Sequence, residues 1–201
     1  MISRMLNCRK WLVFLILLLS LSVISCDNKW TRNYKIKRAV IHNHGQKLNL
    51  STHMDMILHD TIIQDYMITT KPLTIVSVVN KYECPSCTYN YLRFAADFVS
   101  GFNSDSLMFL AIVSSDRTNE LLPLMDDVDT NKVKVFYDPN DNFMKENQSI
   151  KEIKKMWNVF LIDEKRQIVL QGDPLTQTGA KTLYLDYLHK VIEENNWKTT
   201  D

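Results

Sequence analysis

The chain predicts a mixed α/β fold, a three-layer α/β/α sandwich on a mixed central sheet with an N-terminal β extension. Three observations carry that expectation. From Pro72 onward, apolar β-branched runs alternate with helical patterns. The runs at 73–79 and 107–113 are apolar almost throughout, as strands buried on both faces are. After a third strand the alternation gives way to a hairpin and a closing helix, which adds antiparallel pairs and puts helices on both faces. The composition permits this: four Gly and five Pro in 201 residues exclude low-complexity or collagen-like structure.

The first residues read as a targeting segment. Arg4, Arg9 and Lys10 precede an unbroken apolar stretch at 11–19, and Ser20, Ser22 and Ser25 follow before Cys26. A basic start, a short apolar core and small residues at a cleavage point describe a secretion signal over 1–25. The stretch from Trp11 to Ile24 has 14 residues, short of the roughly 20 that a bilayer-spanning helix needs. Val23-Ile24-Ser25-Cys26 resembles the lipobox of bacterial lipoproteins, with Val in place of the usual Leu. That resemblance implies cleavage before Cys26 and lipid on its thiol; ordinary cleavage leaving Cys26 free is the alternative. Two or more acyl chains, each contributing about 0.8 kcal/mol per buried CH₂, hold a protein stably on a membrane.

Residues 26–38 are polar and read as a tether. In the extension at 39–70, Val40, Ile41, Leu48 and Leu50 flank a polar stretch at 42–47, suggesting a short hairpin or two extended pieces. Residues 51–70 read as loop with partial structure, because Met54, Ile57, Leu58, Ile62, Ile63 and Met67 fall close to a helical period. The main domain is placed at 71–201. Its first strand, 73–79, leads to a helix at 88–100 with Leu92, Ala95, Ala96 and Val99 on one face and Gly101 as its stop. A second strand at 107–113 precedes a helix at 118–126, with Pro123 near its start or forcing a bend. Val133, Val135 and Tyr137 alternate with polar or aromatic neighbours in a third strand, which ends at Asp138-Pro139-Asn140. Residues 143–155 are polar, with scattered Met144, Ile150 and Ile153. Apolar runs at 157–162 and 167–171 around Asp163-Glu164-Lys165-Arg166 form a hairpin. A helix at 179–197 closes the chain, with Leu183, Tyr184, Tyr187, Leu188, Val191 and Ile192 on one stripe.

Four cysteines give the sharpest chemical signal. Cys8 leaves with the signal and Cys26 would carry lipid, so Cys84 and Cys87 are the pair left in the folded part. The compartment outside a cytoplasmic membrane permits disulfides, and each of these thiols then has one intramolecular partner. A bridge at this spacing closes a very small loop and removes little unfolded-state entropy, which favours a redox pair over a static staple without excluding the staple. Cys84 falls just before the helix, where free backbone N–H groups and the macrodipole favour a thiolate by up to about 2 kcal/mol. Pro85 suits the first helical position. Cys87, one turn in and expected to be less exposed, would be the resolving thiol to Cys84 as nucleophile. Glu83 opposes a thiolate at Cys84 if its carboxylate points that way, and Lys81 offsets it.

The order of elements, with Cys84-Pro85-Ser86-Cys87 after the first strand, resembles the thioredoxin fold. More narrowly it is similar to membrane-tethered, TlpA-type thiol–disulfide proteins and redoxins of the Bacteroides group. The likeness runs from about Gly45 to Trp197. It rests on Gly45-Gln46-Lys47-Leu48, the cysteine motif, Phe160-Leu161-Ile162-Asp163, and Val169-Leu170-Gln171-Gly172-Asp173-Pro174. It implies exchange with exported proteins bearing thiols or disulfides, a membrane-borne electron donor or acceptor, and no cofactor. It also implies a substrate groove near Pro85, Ser86 and Asn158. Two departures stand out. The family's buried acid, six residues before the first cysteine, is Val78 here. Its cis-proline position is Trp157, and a cis bond there would cost about 2.5–4 kcal/mol.

With 24 basic and 23 acidic residues the near-neutral balance argues against nucleic acid as a partner. Copper-binding relatives of the fold use Cys-x-x-x-Cys and a distant His; the spacing here is one short, and His189 reads as a surface residue. No HExxH or second cysteine pair suggests structural zinc. The Thr-x-x-Cys of peroxidase relatives is absent. Asp126, Asp127 and Asp129 read as a solvated turn. The alternative of a different class is a tethered binding or accessory lipoprotein with a structural or vestigial cysteine pair.

Overall fold

The computed structural model describes residues 43–79, 82–102, 105–114, 116–150 and 158–195. The expected signal peptide, Cys26 and the tether lie outside the described residues. None of the described helices is long and apolar enough to cross a membrane.

Among the described residues seven strands, β1 (His53–Leu58), β2 (Thr61–Met67), β3 (Leu73–Val79), β4 (Leu107–Val113), β5 (Val133–Tyr137), β6 (Val159–Asp163) and β7 (Ile168–Gln171), form one mixed sheet in the order β2-β1-β5-β4-β3-β6-β7. Its centre is β3 (Leu73–Val79) and β4 (Leu107–Val113), parallel and in register from Leu73↔Leu107 to Val79↔Val113. β5 (Val133–Tyr137) continues the parallel set beyond β4. On the other side β6 (Val159–Asp163) runs antiparallel to β3 and pairs with β7 (Ile168–Gln171). The expected mixed sheet is therefore present, and the strands predicted from apolar runs are its core.

Side chains alternate across the sheet, as strand geometry requires, and so build two cores. Leu73, Ile75 and Val79 meet Leu92, Ala95 and Val99 of helix α1 (Pro85–Ser100) on one face. Tyr184 and Leu188 of the closing helix α4 (Thr178–Glu194) pack into that same core. On the opposite face Val76 joins Leu48, Leu50, Phe136, Phe160 and Phe143. Phe143 comes from a short helix α3 (Asn142–Glu146). The result is the three-layer α/β/α arrangement.

Several boundaries differ from expectation. Val40 and Ile41 lie outside the described residues; a hairpin of the extension is formed by β1 (His53–Leu58) with β2 (Thr61–Met67), inside the segment read as loop. Between the pairs Met54↔Tyr66 and Met56↔Ile63, β2 carries one residue more than β1, a bulge that shifts its alternation by one and makes the apolar spacing of Ile62, Ile63 and Met67 imitate a helix. The turn at His59-Asp60 places His59 at φ 52°, a left-handed position with no glycine to announce it. Residues 45–48 instead run beside the β6–β7 hairpin, with Leu48 N–H donating to the Arg166 carbonyl at 2.8 Å. The expected helix at 118–126 is a single α-turn, α2 (Thr118–Leu121), tightening into a 3₁₀ segment, Leu122–Asp127. Pro123 stands at the start of that segment, where its missing N–H withholds an α-helical bond.

Candidate functional site

The central strand β3 ends at Val79, and α1 packs back against one face of the sheet; the cysteine motif opens α1. Cys84 is the N-cap of α1, in extended conformation at φ −70° and ψ 143°. Pro85 follows at the first helical position, where the absent N–H costs nothing. The Cys84 carbonyl accepts the Thr88 N–H at 2.9 Å, and the Cys84 Sγ accepts the Cys87 N–H at 3.1 Å. A sulfur atom thus caps the helix in the way an Asp or Ser oxygen usually does. The two cysteines are joined as a disulfide, with Cα atoms 5.1 Å apart. No acidic residue sits in the first turn of α1, and Glu83 is exposed.

The exposure of the pair reverses the expectation. Cys84 is half-buried while Cys87 is exposed. The phase of α1 explains this. Its buried residues are Pro85, Thr88, Leu92, Ala95, Ala96 and Val99. At 3.6 residues per turn Cys87 lies roughly 130° from the centre of that stripe. It shares the outward face with Asn90 and Phe94, both exposed. Tyr82, just ahead of the motif, is 78% exposed.

Beneath α1 lies a polar contact that the sequence reading missed. Tyr91 is half-buried and turns its hydroxyl inward. That hydroxyl is 2.9 Å from Ser77 Oγ on β3 and 3.4 Å from Asp173 Oδ1. A phenol has one proton to give; with Tyr91 donating to Asp173, Ser77 donates to Tyr91. Asp173 is buried and also accepts from the Leu175 N–H at 2.9 Å and the Thr176 hydroxyl at 2.6 Å, holding the turn that precedes α4. Burial, and then the Asp173 carboxylate, push the Tyr91 phenol well above its ordinary range. Tyr184 is fully buried in the same core, and burial raises its phenol strongly too. Its hydroxyl faces the Leu161 backbone without a well-formed hydrogen bond. The available signal was Ser77 itself: it shares strand parity with Ile75 and Val79, and a buried hydroxyl needs a partner.

The remaining predicted residues divide. Val78, where the resemblance implies an acid, is half-buried and packs against the core on the face away from α1. Its N–H donates to the Asn158 carbonyl at 2.8 Å, which places Asn158 at the same end of the sheet. Asn158 lines a small recess with Phe143, Met144, Asn147, Ile150, Phe160 and Gln171. Of the groove candidates, Ser86 is exposed, but Pro85 is buried and packs into the fold. Trp157 lies outside the described residues. His189 is exposed, its ring 5.4 Å from that of Phe102. Among the described residues no three His, Cys, Asp or Glu are grouped to hold a metal ion.

No protein-family model and no curated protein matches the chain. Solved structures do. A protein named as a thiol:disulfide interchange protein, DsbE, from Chlorobium tepidum aligns at TM-score 0.50 and 13% identity, covering 73% of this chain and 96% of the other. The thioredoxin domain of a thiol-disulfide oxidoreductase from Bacteroides vulgatus aligns at TM-score 0.48 and 10% identity, covering 70% and 96%. StoA from Bacillus subtilis aligns at TM-score 0.41 and 21% identity, covering 60% and 86%. At such identities the likeness concerns the fold, and the fold is thioredoxin-like.

Proposed function

We propose that this chain is a thiol–disulfide oxidoreductase that cycles Cys84 and Cys87 between dithiol and disulfide. The observation that carries the reading is the placement of the pair. A solvent-reachable disulfide closes the first turn of a helix, with one sulfur bonded to a helix-terminal N–H. Such a sulfur is stabilised as a thiolate, and thiolates are the reacting species in exchange. The two electrons reside on the sulfurs alone, so no cofactor is required.

On this reading the partners are exported proteins bearing thiols or disulfides, together with a membrane-borne donor or acceptor that resets the pair. The leader at 1–25 and the lipobox-like Cys26 support export and a lipid anchor on a bacterial membrane, facing the periplasm. A second reading draws on Val78: with no acid at that position, the domain could serve as a tethered binding lipoprotein whose bridge is structural.

Two measurements separate the readings. An oxidoreductase pair should equilibrate with glutathione or thioredoxin-type couples, at potentials above about −300 mV. A structural bridge should lie below that value. In addition, Cys84→Ser and Cys87→Ser variants of the exported chain should between them capture mixed disulfides with exported proteins. If neither variant captures any, the oxidoreductase reading is lost.

A further inference from the structure

The acid that the resemblance implies on β3 is Val78 here, yet a buried carboxylate reaches α1 from another element. Among the described residues two carboxylates are buried, Asp138 and Asp173. Asp138 accepts the Phe143 N–H at 2.8 Å and so holds the start of α3. Asp173 faces α1 instead. The Leu175 N–H and the Thr176 hydroxyl already hold its turn, and its third partner is the Tyr91 hydroxyl, across 3.4 Å. Every partner donates, which is the pattern of an ionised carboxylate. The topology puts this charge at the end of the sheet where α1 begins. Ser77, two residues before the end of β3, pairs with Val159, whose carbonyl accepts the Gly172 N–H at 2.9 Å. Tyr91 follows Cys84 by seven residues, so the two share one side of the helix, about 10 Å apart along its axis. The other charged groups around this part of α1, Glu83, Arg93, Asp97 and Asp127, are exposed, and solvent screens them. Lys132 meets the far end of the helix, at Ser100.

We infer that Asp173 is the buried charge that tunes the Cys84–Cys87 pair, acting on it through the interior beneath α1. This rests on the oxidoreductase reading above and deepens it. Opening the bridge takes two electrons and one proton, and leaves a thiol on Cys87 and a thiolate on Cys84. A dithiol donor supplies them, is itself oxidised to a disulfide, and gives its second proton to water. The start of α1 favours the Cys84 thiolate. A negative charge held beneath the same helix opposes it. At an effective dielectric of about 20, like unit charges roughly 10 Å apart shift each other's protonation about tenfold. With Asp173 in place the Cys84 thiol therefore ionises at a higher pH than the helix start alone would set. The bridge is harder to reduce for the same reason, and the dithiol is the better electron donor.

The test compares the full chain with Asp173→Asn, which keeps an oxygen for the Leu175 and Thr176 bonds and removes the charge. After reduction, iodoacetamide labels thiolates across a pH series, and fragmentation of the peptide from Tyr82 to Arg93 reports Cys84. In the variant the midpoint for Cys84 should fall by about one pH unit, a tenfold change in the thiolate equilibrium. Above that midpoint, the equilibrium with glutathione should move toward the reduced pair by up to about tenfold, or about 30 mV for a two-electron couple. Leu92→Ala, which loosens the packing of α1 and leaves the charge, should keep the wild-type pH profile. An unchanged profile in Asp173→Asn, or an equal shift in Leu92→Ala, overturns the assignment and leaves the oxidoreductase reading standing. Should Asp173→Asn not fold, the wild-type chain decides by itself. The carboxyl carbon resonance of Asp173 should step as Cys84 ionises in the reduced form and show no such step in the oxidised form. Absence of the step in the reduced form overturns the assignment. A wild-type bridge that glutathione cannot reduce at all ends the oxidoreductase reading, and the tuning with it.

Discussion

Tyr91 joins the surface helix to the sheet through one oxygen, and its neighbours make its removal informative. Replacing it with Phe keeps the ring but leaves the Ser77 hydroxyl facing an apolar edge. Asp173 retains its bonds from Leu175 and Thr176. The cost should therefore be that of one orphaned buried group, about 1–3 kcal/mol. Ser77→Ala alone removes the donor to Tyr91 and should cost about 1 kcal/mol. With both changes the orphan no longer exists, so the double variant should be more stable than the sum of the singles predicts, by roughly 0.5–3 kcal/mol. Urea unfolding of the four proteins gives the cycle directly. Strictly additive losses would mean that the Ser77–Tyr91 contact contributes nothing.

Helix α1 shows both how far sequence periodicity reaches and where reading it went astray. Leu92, Ala95, Ala96 and Val99 set its phase correctly. Carrying 100° per residue back from Leu92 turns Pro85 and Thr88 inward and Cys87 outward. The exposure of Cys87 was thus implicit in residues already identified, and was overridden by the position of Cys87 deeper in the helix. β3, β4 and β5 were readable because strands buried on both faces have no other composition. β1 and β2 were not, because a bulge and a glycine-free turn removed the two usual signals of a hairpin. Tyr91, Ser77 and Asp173 come from three elements, and no one-dimensional pattern links them. The energetics of the helix start are equally specific. A loop this small should contribute about 2 kcal/mol through its bridge, whereas Leu92→Ala should cost about 2–5 kcal/mol by opening a cavity in the core. Dithiothreitol should therefore lower the urea midpoint less than Leu92→Ala does. A larger loss on reduction than on core truncation would mark the bridge as a structural staple.

The domain as a whole should lose stability at high pH, because its buried phenols ionise far more readily once the chain unfolds. Tyr91 and Tyr184 are both held above the ordinary tyrosine range, principally by burial. Below about pH 10 they are protonated in both states, so they make stability no function of pH. Above it the unfolded chain releases protons that the folded chain keeps, and the number bound is then larger in the folded state. Stability accordingly falls as pH rises, by up to about 1.4 kcal/mol per pH unit for each tyrosine, until the folded-state value is reached. Tyr187 is also raised, first by burial, but is partly exposed and adds less. The two buried groups together should give nearly 3 kcal/mol per unit in the steepest region. Urea midpoints measured between pH 8 and 11 should be flat at first and then decline. In Tyr91→Phe the decline should become about half as steep, because one of the two protons no longer takes part. An unchanged slope in that variant would show that the Tyr91 phenol ionises in the folded domain as freely as in the unfolded chain, contrary to its contacts with Ser77 and Asp173.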